Sequence, residues 1–139
     1  MIGRSKGFNM KKLLILACLA LFVASCQESL EERAERECKE FTQRMCPTPV
    51  VNNTRTDSVT FDKATKTYTY HCSFLNELDD SAAINRVRGQ LHDALKKGVM
   101  EDTHTKAYKE AGFKFRYLCS SAKNPKTVLF DDTFTGKAE

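Results

Sequence analysis

The stretch Thr67-Tyr68-Thr69-Tyr70-His71-Cys72-Ser73-Phe74 alternates without a break between polar side chains and aromatic or sulfur ones. A period of two is the mark of a half-buried strand. Tyr68, Tyr70, Cys72 and Phe74 are therefore expected on the core face, with Thr69 and His71 on the opposite face. Just upstream, Asp57 to Asp62 carries Val59 and Phe61 in the same rhythm, and Lys63 to Lys66 reads as the turn of a hairpin. Downstream, Phe113, Phe115, Tyr117 and Cys119 alternate in a third strand. After a turn at Asn124-Pro125, residues 127–134 form a fourth, with Val128 and Phe130 inward and Leu129 outward.

Between and before the hairpins the period changes to that of a helix. Ser29-Leu-Glu-Glu32 is a capping-box pattern, and a helix is expected from there to Met45, ending before Pro47. Leu30, Ala34, Cys38, Phe41 and Met45 fall on one face. Glu32–Arg36, Glu35–Lys39 and Glu40–Arg44 are spaced as i,i+4 ion pairs. Residues 47–55 are a linker or an extended entry to the first strand. Asp79-Asp80-Ser81 opens a second helix with Ile84, Val87, Leu91 and Leu95 on its apolar side and Gly98 as its terminator. A short further helix over 103–111 is closed by Gly112.

The order α-β-β-α-(α)-β-β predicts an α+β fold: a four-stranded antiparallel sheet with helices packed on one face and the other face open to water. Each half is a helix followed by a hairpin, without clear sequence identity between halves. The order resembles that of small envelope lipoproteins and of inhibitors built from helix-plus-hairpin units, including β-lactamase-inhibitor-like domains. The resemblance rests on element order alone and carries over no functional residue.

The N-terminus decides the address. The apolar run from Leu13 to Val23 is 11 residues long, whereas a spanning helix needs about 20 and a signal-peptide core about 7–15. Lys11 and Lys12 precede it, and Gln27-Glu28 follow Cys26 at once. A transmembrane anchor is the weaker reading. Val23-Ala24-Ser25-Cys26 resembles the lipobox of bacterial lipoproteins. That resemblance implies cleavage before Cys26, a diacylglycerol on its thiol, acylation of its new amino group, and attachment to a bacterial envelope membrane through that lipid. The expected organisation is a signal peptide over residues 1–25, with its start at Met1 or Met10, and one mature domain over 26–139. An ordinary secreted protein cut near Ala24 is the alternative.

Removing residues 1–25 removes four of the 22 basic residues and none of the 18 acidic ones, so the formal charge of +4 falls to zero. The basicity belongs to the leader and gives no support for nucleic-acid binding. Cys18 leaves with the leader and Cys26 is the lipidation candidate. Cys38, Cys46, Cys72 and Cys119 remain, an even number that suggests disulfides beyond the inner membrane. Cys38 and Cys46 would stand about 12 Å apart along an unbroken helix, too far for a bridge. Cys38–Cys72 with Cys46–Cys119, or Cys38–Cys119 with Cys46–Cys72, are the expected pairings.

Catalytic signatures are absent from the sequence. It contains no C-x-x-C, no G-x-S-x-G and no Gly-rich phosphate loop. His92 and His104, near Glu101 and Asp102, lack the i,i+3 or i,i+4 spacing of a helical metal site and read as surface histidines; no cofactor is expected. Asp79-Asp80 and Asp131-Asp132 read as a helix cap and a solvated strand end. Asp57-Ser58-Val59 and Asp80-Ser81-Ala82 resemble a short O-glycosylation signal of some envelope bacteria. Asn52-Asn53-Thr54 is a sequon of eukaryotic type. On the open sheet face, Thr69, His71, Lys114 and Arg116 are the candidate contacts for a protein or glycan, in company with Thr60, Thr67, Ser73 and Leu118. The expectation is a non-enzymatic, lipid-anchored envelope protein that binds or scaffolds another envelope component. The alternatives are a periplasmic inhibitor or immunity-type protein, and a small hydrolase or metal binder.

Overall fold

In the computed structural model, which describes residues 27–137, the Ser29 side chain accepts a hydrogen bond from the Glu32 N–H at 3.1 Å and starts helix α1, Leu30–Met45. The leader, Cys18 and Cys26 lie outside the described residues. Strands β1 (Thr54–Asp62) and β2 (Thr67–Phe74) form the first hairpin. Helix α2 (Ser81–Glu101), capped by Asp80, and the single-turn α3 (Lys106–Glu110) lead into the second hairpin, β3 (Lys114–Ser121) and β4 (Val128–Thr135). No described helix is long and apolar enough to cross a membrane.

The sheet order is β1-β2-β3-β4, with helices on one face as predicted. Both hairpins are antiparallel, but the central pair is parallel, in register from Thr67↔Lys114 to Phe74↔Ser121. The reason is the crossover. Parallel neighbours need a long connection, and α2 with α3 carries the chain back to the end of the sheet where β2 began.

Alternation places the core residues as expected, with one inversion. Val59, Cys72, Phe74, Phe115, Cys119, Phe130 and Phe134 are all buried. A β-bulge then shifts the register between Cys119↔Phe130 and Ser120↔Val128. The extra residue flips the side chains beyond it. Leu129, expected outside, is therefore 7% exposed and packs with Ile84 and Phe74, while Val128, expected inside, is 53% exposed. The second correction concerns Gly98, which does not end α2. The helix continues until Val99 is buried, and Asp102 closes it by donating its N–H to the Gly98 carbonyl at 3.1 Å.

The carbonyls at that end find an unusual partner. The Lys109 ammonium donates to the carbonyl oxygens of Val99, Met100 and Asp102 at 2.7, 3.0 and 2.6 Å. A cation there satisfies orphan acceptors and meets the negative end of the helix dipole. Gly136 lies so close to the Lys109 stem that any side chain at 136 would displace it.

Helix α1 is held to the rim of the sheet by one hydroxyl. Thr42 Oγ1 donates to the Val59 carbonyl at 3.0 Å and accepts from the Val59 N–H at 2.9 Å. Thr48 does similar work further along, its N–H donating to the Thr56 carbonyl and its hydroxyl accepting from the Thr56 N–H, both at 2.9 Å. Ion pairs add the other end: Lys63 with Glu35 at 2.8 Å and Lys66 with Glu31 at 3.7 Å join the β1–β2 turn to α1. Of the three expected pairs along α1, Glu35–Lys39 forms, at 3.7 Å, while Arg36 turns to Glu28 and Glu40.

Lys109→Met is expected to cost about 1–3 kcal/mol, because buried carbonyls lose a charged donor. Denaturant unfolding would measure that loss, and faster amide exchange confined to the last turn of α2 would assign it. Thr42→Val should cost about 1–2 kcal/mol in the same assay, since two strand groups lose their partner together.

Candidate functional site

The two long helices dock at opposite margins of the sheet, α1 against β1 and α2 against β4. Much of the inner face of the central strands is covered, with Cys72, Phe74, Phe115 and Cys119 buried beneath the helical layer. What stays half-buried there is tyrosine, Tyr68 and Tyr70 on β2 and Tyr117 on β3. Tyrosine suits such a place because its ring can bury while its hydroxyl reaches water. Tyr70 and Tyr117 stack with centroids 4.6 Å apart and planes 15° from parallel, and Tyr68 lies 5.2 Å from Tyr70.

Helix α3 closes one side. It sets Tyr108 flat against Phe113, at 5.4 Å and 5°, and the Tyr108 hydroxyl donates to Glu37 Oε2 at 2.7 Å. Arg33 donates to the other oxygen of Glu37 at 2.8 Å and lies over the Tyr108 ring at 5.6 Å. The result is a cleft of about 300 Å³, walled by Glu37 and Phe41 of α1 and by Asp102, His104 and Thr105 of the α2–α3 connection. Tyr68, Tyr70 and Val59 form its base.

The charge states of these groups describe a neutral floor with an acidic rim. Burial pushes the Tyr68 and Tyr70 hydroxyls far above their ordinary range and Tyr117 up to about 12. Burial also pushes the Cys38 thiol up to about 11, against a hydrogen bond shared with Tyr68. Burial raises the Glu37 carboxyl too, but hydrogen bonds from Arg33 and Tyr108 outweigh it and hold the group below its usual range. Every sulfur and phenol here is protonated at neutral pH. The cleft can donate and accept hydrogen bonds and cover apolar surface, and it holds no activated nucleophile.

The sequence-predicted residues fall elsewhere. Thr69, His71, Lys114 and Arg116 do share the outer face, Thr69 opposite Arg116 in the register and Thr67 opposite Lys114. That face is knitted to itself. Arg116 makes a two-point pair with Asp131 at 2.7 and 2.6 Å, His71 Nε2 bonds Thr60 Oγ1 at 2.8 Å, and Ser73 donates to Asp57. Burial lowers the His71 pKa, with Arg116 acting in the same direction. His92 and His104 are not brought together: His92 Nδ1 bonds Asp132 at 2.7 Å, while His104 lines the cleft. Among the described residues, no group of three or more His, Cys, Asp or Glu side chains is placed to hold a metal.

The four cysteines of the domain are all free thiols, and neither expected pairing is formed. Cys38 faces Tyr68, whereas Cys72 and Cys119 are direct neighbours across the parallel strands. What sequence reading missed is the apolar end of α1. Phe41 and Met45 continue the helical period but are left 39% and 56% exposed, and Val50 and Val51 after them are 47% and 64% exposed. Periodicity shows which face is apolar, not how much of it is covered.

These features define a small α+β domain of helix-plus-hairpin units with an aromatic-floored cleft between its helices. The chain belongs to the family described as "Domain of unknown function (DUF8479)", whose model matches residues 29–130. No curated protein matches it. Solved structures share the fold. A Pseudomonas aeruginosa protein assigned as secreted matches with TM-score 0.60 and 12% identity, over 78% of this chain and 96% of its own. The pilotin EpsS of the Vibrio vulnificus type 2 secretion system matches with TM-score 0.59 and 12% identity, over 77% and 88%. The type II secretion system pilotin AspS of Vibrio cholerae matches with TM-score 0.58 and 13% identity, over 82% and 95%. At such identities the likeness is one of fold.

The outer-face pair gives a pH test. The hydrogen bond from Arg116 holds the Asp131 carboxyl below its usual range, so its stabilising effect is present above the unfolded-state pKa and is lost as pH falls through the folded one. Both side chains are over a third exposed, 40% and 38%, which screens the pair to less than about 1 kcal/mol. Asp131→Asn should therefore be slightly less stable at pH 7 and converge with the parent in urea unfolding once the pH falls below the ordinary carboxylate range. An equal gap above and below that range would mean the effect is not electrostatic.

Proposed function

We propose that this is a non-enzymatic, lipid-anchored envelope protein that binds another envelope protein through the tyrosine-floored cleft and the exposed apolar end of α1. The observation that carries the reading is the cleft itself: open, apolar at its base, rich in neutral hydroxyls and without an activated group. The surface around it offers Phe41 as a ready anchor, and aromatic side chains dominate binding energy at protein interfaces. The lipobox-like Val23-Ala24-Ser25-Cys26 supports the anchor. The shared fold with two type II secretion pilotins and an assigned secreted protein supports an envelope setting and a partner-binding role. The outer face is the second choice, because Arg116 is already paired with Asp131 and His71 with Thr60, leaving the exposed Lys114 beside them.

The tether and the binding surface lie at opposite ends of α1. A helix of 16 residues spans about 24 Å, and Cys26 precedes its first turn in the sequence while Phe41 and Met45 belong to its last two. The partner is met at a distance from the bilayer.

Photo-crosslinking in cells tests the site. A photoreactive residue at Phe41 or Tyr70 should yield one defined adduct, and one at Thr69 or Arg116 should yield none. The reverse pattern, or no adduct from the cleft, overturns the proposal. Phe41→Glu should lower capture of that adduct about tenfold or more without a fall in Tm. For the anchor, Cys26→Ser should abolish fatty-acid labelling and block cleavage at the lipobox. Labelling that persists in that variant would place the lipid elsewhere.

A further inference from the structure

Cys72 and Cys119 occupy the same register position on adjacent parallel strands, both pointing into the core and 7% and 3% exposed. Neighbouring strands stand about 4.8 Å apart, inside the window of about 4.4–6.8 Å between α-carbons that a disulfide requires. The two side chains leave the same face of the sheet at one register position, so their thiols are direct neighbours. Cys38 is buried on α1, and Cys46 is half-buried just past its end.

We infer that Cys72 and Cys119 are a dithiol that closes to a disulfide across the two central strands, with a disulfide-bearing oxidant as electron acceptor. The thiolate of one cysteine attacks the oxidant's disulfide and releases one of its sulfurs as a thiol, forming a mixed disulfide. The second cysteine, losing its proton, attacks the first cysteine's sulfur and expels the oxidant's remaining thiolate. Two protons and two electrons leave the protein, and the oxidant departs as two thiols. Either cysteine can be the attacker, the other then resolving the mixed disulfide. Thr56 Oγ1, 3.8 Å from the Cys72 sulfur, can donate to it. Because both sulfurs are buried, the bond forms while β3 is docking on β2 or during local opening. It closes a loop that contains all of α2 and α3, the connection that the parallel pairing must otherwise hold in place unaided.

The inference concerns the geometry of the pair, and its occurrence in cells rests on the proposed envelope placement; two preparations separate them. In the first, the full chain is isolated from bacterial envelopes with free thiols alkylated at harvest. In the second, reduced protein is refolded in a buffer of oxidised and reduced glutathione. Non-reducing peptide mapping should find Cys72 linked to Cys119, with Cys38 and Cys46 alkylated, in both. A link in the refolded protein alone upholds the pair and counts against the envelope placement. Free thiols in both preparations, or Cys72 joined to Cys46 or Cys38, overturn the inference. A Cys38→Ala/Cys46→Ala variant, which keeps the pair, should still lose roughly 10 °C of Tm on adding reductant. A Tm indifferent to reductant would refute the bond.

Discussion

Strands β2 and β3 run parallel, and a parallel neighbour cannot be reached by a tight turn. The chain must travel back along the sheet before it can add the next strand, and α2 and α3 are the means of return. Most of the other features follow from that journey. It obliges α2 to end near the start of β3, so a short helix and Lys109 can seal its carbonyls. It also aligns the two central strands residue for residue, setting tyrosine beside tyrosine and cysteine beside cysteine. An antiparallel centre would have reversed one of these rows.

The same topology explains why a cleft exists. One helix precedes the first hairpin and the other precedes the second, so each covers the outer strand on its own side of the sheet. The helical layer buries Cys72, Phe74, Phe115 and Cys119 of the central strands but leaves Tyr68, Tyr70 and Tyr117 half-buried, where a ring can pack and a hydroxyl can reach water. Tyr108 narrows the gap without filling it, because α3 is a single turn and brings only one large side chain to the floor. The acidic rim of Glu37 and Asp102 is then held by local bonds from Arg33, Tyr108 and the His104 N–H, not by any group crossing the cleft.

The local elements were legible in the sequence. Alternation from Thr67 to Phe74 identified β2 to the residue, and the capping pattern at Ser29 located the start of α1. The parallel pairing was not legible, because it joins strands separated by some forty residues and leaves no mark on either one. The neighbourhood of the cysteines was hidden for the same reason: judged from the helix, Cys38 had a plausible partner on the sheet, whereas the strand register sets Cys119 beside Cys72. Leu129 was misassigned because a bulge adds a residue without a glycine or proline to announce it. Phe41 was assigned to the core because periodicity reports direction and not coverage. For the same reason the cleft, made by two helices failing to meet, had no signature of its own.

Thr42 and Thr48 have a consequence outside the domain. The outer rim of an edge strand is a row of unpaired amides and carbonyls that a second copy of the chain could extend. Here two hydroxyls and one backbone amide from the preceding segment occupy the Val59 and Thr56 positions of that rim. On the β1 edge, the positions a second strand would pair with are thus held by two small side chains that belong to no strand.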